Sequence, residues 1–125
     1  MATINLTKDE LQNTISSNEI LIIDFWASWC GPCLRFAPTF ETASETHSDI
    51  AFAKVDTEAE QELAGMFGVR SIPTLAVFRE GELLYKEAGA LPESALEELI
   101  QQIRALDMKE VRQQIEKKAE KNKEA

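Results

Sequence analysis

Cys30 and Cys33 are the only cysteines of this 125-residue chain, and they stand two residues apart in Trp29-Cys30-Gly31-Pro32-Cys33, directly after the apolar run Ile20 to Trp26. A strand that hands a CxxC to the first turn of a helix aims the first sulfur at unpaired backbone N–H groups and at the positive end of the helix dipole. Both favour thiolate over thiol, and the thiolate is the species that attacks a disulfide. Pro32, which has no N–H and a preset φ, fits a first helical turn. Gly31 keeps side-chain bulk away from an approaching partner. The spacing therefore predicts thiol–disulfide exchange, with Cys30 attacking and Cys33, one turn in and better shielded, resolving.

The residues alone leave two other uses of the pair open. One is a structural bridge, although closing so short a loop removes little unfolded-state entropy. The other is part of a zinc site, although such a site normally takes four Cys or His ligands. This chain has Cys30, Cys33 and His47 to give, so a metal cluster would have to be shared across a dimer. His47 itself reads as a surface residue far in sequence from Cys30. Asp24 interrupts the apolar strand just ahead of the motif. It is either a strand-end carboxylate facing solvent or a desolvated acid whose pKa is pushed upward, which suits a proton carrier near neutrality.

The elements that must position these groups follow from pattern. Thr3 to Leu6 reads as a short strand, and Thr7-Lys8-Asp9-Glu10 has capping-box spacing that opens a helix with Leu11 and Ile15 on one face. Ile20 to Trp26 is apolar on both alternating sets, the mark of a central strand covered on each face. Gly31 to about His47 is helical, with Phe36, Phe40 and Ala43 toward a core and a kink expected at Pro38. Ile50 to Val55 is a strand. Glu58 to Phe67 is a helix with Leu63, Met66 and Phe67 buried, ended by Gly68. Thr74 to Phe78 and Leu83 to Tyr85 flank Glu80-Gly81 and form an antiparallel hairpin, and another helix begins after Pro92. The order β-α-β-α-β-α-β-β-α implies an α/β sandwich with a mixed sheet whose parallel pairs are joined by helical crossovers.

Length and composition agree with one domain and a tail. No apolar run approaches the ~20 residues that cross a bilayer. The N-terminus has neither a basic nor an apolar leader region, so a reducing cytoplasm is the expected compartment. Residues 1–106 carry 7 basic and 17 acidic side chains, while 107–125 carry 6 and 5; the acidic part should repel nucleic acid. In the tail, Asp107-Met108-Lys109-Glu110 repeats the capping-box spacing, and Met108, Val111 and Ile115 would share one side of a new helix. Glu116 to Ala125 has little to bury and should fray.

The chain resembles the thioredoxin family. The likeness rests on Asp24-Phe25-Trp26-Ala27-Ser28-Trp29-Cys30-Gly31-Pro32-Cys33, Ala37-Pro38, Lys54-Val55-Asp56, Val69-Arg70-Ser71-Ile72-Pro73-Thr74 and Gly89-Ala90. It covers residues 1 to about 106. It implies a thioredoxin fold, a mixed central β-sheet sandwiched by helices, over residues 1–106; residues 107–125 depart from it and read, from their own pattern, as a charged helical C-terminal extension. It also implies that Asp24 accepts a proton from Cys33 through water, with Lys54 as its charge partner. Pro73, trans by default in most X-Pro bonds, is implied to be cis and to face the disulfide. There it leaves backbone groups of Ile72 and Thr74 free to bind an extended substrate segment as an added strand. Trp29, Gly31, Pro32 and Gly89 are carried over as the remaining substrate-binding residues. Two positions depart from the pattern: Ser71 stands where Gly is frequent, and Leu34 where Lys or Arg is common, with Arg35 next to it as a source of positive charge.

The function the resemblance implies is protein dithiol–disulfide oxidoreduction without a bound cofactor. Its partners would be disulfide-containing clients and an NADPH-dependent thioredoxin reductase, and the protein is expected to be a monomer that binds neither nucleic acid nor membrane. Two rival functions are an oxidase or isomerase on the same fold and a binding module docked through its C-terminal helix.

Overall fold

The computed structural model describes residues 2–124. Its centre is strand β2 (Ile20–Trp26), flanked by β3 (Ala51–Asp56) in parallel and by β4 (Thr74–Arg79) antiparallel. The short β1 (Thr3–Asn5) adds parallel to β3, and β5 (Glu82–Ala88) adds antiparallel to β4, giving the order β1-β3-β2-β4-β5. Helices α1 (Leu11–Ser17), α2 (Gly31–Thr46), α3 (Gln61–Met66) and α4 (Glu93–Ala105) cover the sheet, and α5 (Met108–Glu124) follows.

The double-sided apolarity of β2 has a direct structural counterpart. Leu21, Ile23 and Phe25 pack with Leu11, Ile15 and Leu63, whereas Ile20 and Ile22 pack with Phe36, Phe40, Leu96 and Ile100. The apolar residues from Ile20 to Phe25 thus alternate between two layers. Phe40 links the second layer together, with its ring 5.3 Å from Phe52 and 5.9 Å from Phe36. The two-residue turn between β4 and β5 takes positive φ at both Glu80 (50°) and Gly81 (84°), the hand that matches strand twist. Helix α2 runs unbroken through Pro38. No helix among the described residues is long and apolar enough to cross a membrane.

Several expectations need correction. The helix expected over Glu58 to Phe67 spans only Gln61–Met66, and Met66 is 59% exposed. In so short a helix the buried arc is Leu63, Ala64 and, one turn on from Leu63, Phe67; Met66 falls to its outer side. Thr7 makes no cap to the backbone; its hydroxyl donates to Glu10 Oε1 at 2.8 Å, because a single 3-10 turn over Lys8–Glu10 precedes α1. The orphan N–H of Lys8 is met instead by Glu60 Oε1 at 3.0 Å. His47 is not a free surface residue: it is half-buried, between Glu97 (2.7 Å) and Arg104 (3.2 Å).

The tail starts as its spacing predicts. Asp107 Oδ1 accepts the N–H groups of Lys109 (3.0 Å) and Glu110 (3.4 Å). Met108 is buried, Val111 half-buried and Ile115 exposed. The helix continues to Glu124; of the segment expected to fray, Ala125 lies outside the described residues.

Candidate active site

The turn Ala27-Ser28-Trp29-Cys30 closes with Cys30 N–H on the Ala27 carbonyl at 3.2 Å, and the first α2 bond follows from Leu34 N–H to the Cys30 carbonyl at 3.1 Å. Cys30 is thereby the N-cap of α2, in extended conformation, with Pro32 in the first turn. Its Sγ accepts the Cys33 N–H at 3.2 Å, a helix N-terminal donor left over by the ladder. Cys30 and Cys33 form a disulfide. Both are nearly covered in this oxidised state, at 4% and 2% exposure, so the expected contrast in shielding is slight.

Across from the disulfide, the Ile72–Pro73 peptide is cis. The Ile72 carbonyl oxygen stands 3.7 Å from Cys30 Sγ; the disulfide sulfur has no hydrogen to donate, so this is a close approach of two chain segments. Thr74 Oγ1 donates to the Ser71 carbonyl at 2.6 Å, and the Pro73 carbonyl accepts Gly89 N–H at 2.8 Å. Gly89 has φ 119°, a region closed to most side chains. The structure thus brings Cys30, Cys33, Ile72, Pro73, Thr74 and Gly89 to one end of the sheet. Pro32 is exposed beside them, and a Cβ on the half-buried Gly31 would stand 3.3 Å from Arg35 Nη1.

Trp29 is 67% exposed, and its indole N–H donates to Glu58 Oε1 at 2.6 Å. Glu58 is itself held, its backbone N–H donating to Asp56 Oδ1 at 3.0 Å. Sequence reading missed Glu58, which sits 29 residues from its partner on a loop with no motif. A groove of about 340 Å³ runs from Trp29 past Thr57, Gly65, Val69 and Arg70 to Ile72. A larger hollow of about 460 Å³ lies between the end of α1 and Glu80-Gly81, away from both cysteines. The smaller groove is the one bordered by Trp29, next to Cys30, and by Ile72, whose carbonyl approaches Cys30 Sγ.

Asp24 is fully buried, and no protein group donates to either carboxylate oxygen. Burial pushes its pKa from an ordinary 3.8 up to about 7, against the opposing pull of Lys54. In register it lies between Lys54 on β3 and Leu75 on β4. Lys54 is half-buried, with its Nζ 4.7 Å from the centroid of the Trp26 ring. Among the described residues no cluster of three or more His, Cys, Asp or Glu side chains is arranged to hold a metal ion.

The sequence profile of the family described as Thioredoxin matches residues 2–102. A Streptomyces coelicolor protein provisionally named thioredoxin 2 is 51% identical over 114 residues, 91% of this chain and 85% of that protein. Bacillus subtilis thioredoxin is 40% identical over 101 residues, 80% of this chain and 96% of its own. Among solved structures, a mutant thioredoxin from Halobacterium salinarum superposes with a TM-score of 0.77 at 38% identity, covering 84% of this chain and 93% of that one.

Proposed function

The chain belongs to the thioredoxin family, and from that premise we propose that it is a protein-disulfide reductase acting on disulfides of cytoplasmic proteins. Family and active-site disulfide together support dithiol–disulfide oxidoreductase chemistry. The observation that carries the finer reading is the Cys30–Cys33 disulfide at the α2 N-terminus, with Cys33 N–H on Cys30 Sγ and the Ile72–Pro73 segment alongside.

In the reduced protein the Cys30 thiolate, favoured by that N–H and by the helix dipole, attacks one sulfur of a client disulfide. The client S–S bond breaks, a mixed disulfide forms on Cys30, and the departing client thiolate takes a proton from solvent. Cys33 then gives its proton, through water, to the Asp24 carboxylate, and its thiolate attacks Cys30 Sγ. The mixed disulfide breaks and the second client thiolate leaves. Two electrons have passed to the client, and the Cys30–Cys33 disulfide remains. An acid with pKa near 7 suits the transfer from Cys33, since it can both take and return a proton at neutral pH.

A client segment running along the groove between Trp29 and Ile72 would pair with backbone of the Ile72-Pro73-Thr74 turn, with Gly31, Pro32 and Gly89 leaving room for it. An NADPH-dependent thioredoxin reductase would restore the dithiol. The Gly31-Pro32 dipeptide favours the reductant over an oxidase or isomerase.

The test is catalysis of insulin disulfide reduction by dithiothreitol. Cys30→Ser should abolish catalysis and form no mixed disulfide, whereas Cys33→Ser should accumulate mixed disulfides. Catalysis that survives Cys30→Ser would sink the proposal.

A further inference from the structure

Asp24 and Lys54 are Cα partners in the parallel β2–β3 ladder, so their side chains leave the same face of the sheet side by side. That face is the one α2 covers with Phe36 and Phe40. A lysine so placed beside a buried carboxylate would ordinarily close an ion pair on it. It does not do so here: both Asp24 oxygens are without a partner, and the Lys54 ammonium stands over the Trp26 indole, 4.7 Å from its centroid.

Trp26, two residues beyond Asp24, presents its ring on this same face. Its backbone is anchored, and its buried indole N–H has no partner. Its carbonyl accepts both the N–H (2.9 Å) and the hydroxyl (3.0 Å) of Thr57, and it packs beside Ala27, Cys30 and Cys33. The electron-rich face of an indole is the best aromatic seat for a cation.

We propose that Trp26 is a positioning residue whose indole holds the Lys54 ammonium off the Asp24 carboxylate, leaving that acid free to exchange a proton instead of being locked in an ion pair. The inference rests on the role given to Asp24 above. An ammonium in contact would stabilise the ionised carboxylate and weaken it as a proton acceptor. Held on the ring, Lys54 only tempers the effect of burial. The other groups around Asp24 do not replace it. On β3, Asp56 lies on the same face, opposite Trp26 in register. On β4 the same-face neighbours Leu75 and Val77 are apolar, and on β1 the partner of Lys54 is Asn5. The titratable groups of α2 are Arg35, Glu41 and Glu45, the disulfide-bonded Cys30 and Cys33 having no proton to exchange, and Glu41 accepts from Thr3. On α4, Glu97 is engaged with His47.

The test follows the Asp24 carboxyl carbon by NMR through a pH titration of the oxidised protein. This needs no turnover, so its failure is separate from a failure to reduce insulin. Trp26→Leu should move the titration to lower pH, and Trp26→Phe, which keeps a ring, should restore most of the parent behaviour. In a Lys54→Met background neither change should move it. An unmoved titration in Trp26→Leu overturns the proposal, and so does an equal move in both backgrounds, which would mean water entry alone. Should Trp26→Leu fail to fold, the unsubstituted protein still decides: Lys54 Hε resonances shifted upfield by the indole support the proposal, and resonances at ordinary positions overturn it.

Discussion

The Trp29 indole N–H donates to Glu58 Oε1 at 2.6 Å, tying the most exposed aromatic residue of the active-site rim to the loop after β3. Glu58 is in turn held by Asp56 Oδ1, so the orientation of the ring depends on a two-step support. Glu58→Ala removes the acceptor and frees an exposed side chain, at little cost to the fold, within about 0.5 kcal/mol. The loss should appear in client capture: KM for a protein disulfide rises roughly fivefold, the equivalent of one hydrogen bond of about 1 kcal/mol. Glu58→Gln keeps an acceptor and should stay near the parent. Equal KM values for Glu58→Ala and the parent would show that the tether has no part in binding.

Asp24 makes stability depend on pH in a stated direction. Its native pKa lies near 7 against 3.8 ordinarily, so between about pH 4 and pH 7 the native protein binds more protons than the unfolded chain. Stability therefore falls as pH rises through that window, and the loss is complete above it. For a fully buried group the span corresponds to about 4 kcal/mol. Asp24→Asn, neutral at every pH, should match the parent near pH 4 and exceed it by up to about that amount at pH 8 in urea unfolding of the oxidised protein. A difference that does not vary with pH would refute the assignment of burial as the cause.

What could be read from sequence and what could not divides along physical lines. The α/β order, the two-sided packing of β2 and the turn at Glu80-Gly81 were legible because each follows from local periodicity or from backbone permission at two or three neighbouring residues. Met66 was misjudged because a six-residue helix has too little arc for periodicity to fix its buried side. His47 was misjudged because its partners, Glu97 and Arg104, come from α4, 50 and 57 residues away. At the site, Cys30 and Cys33 announce themselves by spacing. The Glu58 tether and the seat of Lys54 on Trp26 depend on how β2 and β3 register, which no local pattern encodes.

The end of α4 and the start of α5 are each fastened to the β4–β5 hairpin. Arg79 Nη1 donates to the carbonyls of Ile103 (2.8 Å), Arg104 (3.3 Å) and Leu106 (2.8 Å), the groups a helix end leaves unpaired, and Arg112 meets Glu80 at 3.1 Å. With Met108 buried, removal of residues 107–125 should lower Tm by about 5–10 °C, and Met108→Ala alone should cost about 2 kcal/mol. Removal of 113–125 should leave Tm unchanged. A melt unaffected by the longer deletion would show that Met108 and the Arg112–Glu80 pair contribute nothing.

Leu34, 52% exposed, follows Cys33 directly in the first turns of α2, and the Arg35 guanidinium already lies over Gly31. A cation at position 34 would add a second positive charge near Cys30, the sulfur proposed to attack. At an effective dielectric suited to a protein surface this is worth less than about 1 kcal/mol. Leu34→Lys should therefore raise the rate of iodoacetamide alkylation of the reduced protein at pH 7 by roughly two- to fourfold, and Arg35→Ala should lower it by a similar factor. Both effects are Coulombic across solvent, so both should shrink in 1 M salt, where screening acts over about 3 Å. Alkylation rates indifferent to both substitutions would leave the Cys33 N–H and the helix dipole as the sole supports of the thiolate. A change that persists undiminished in salt would point to packing of Leu34, not charge, as the cause.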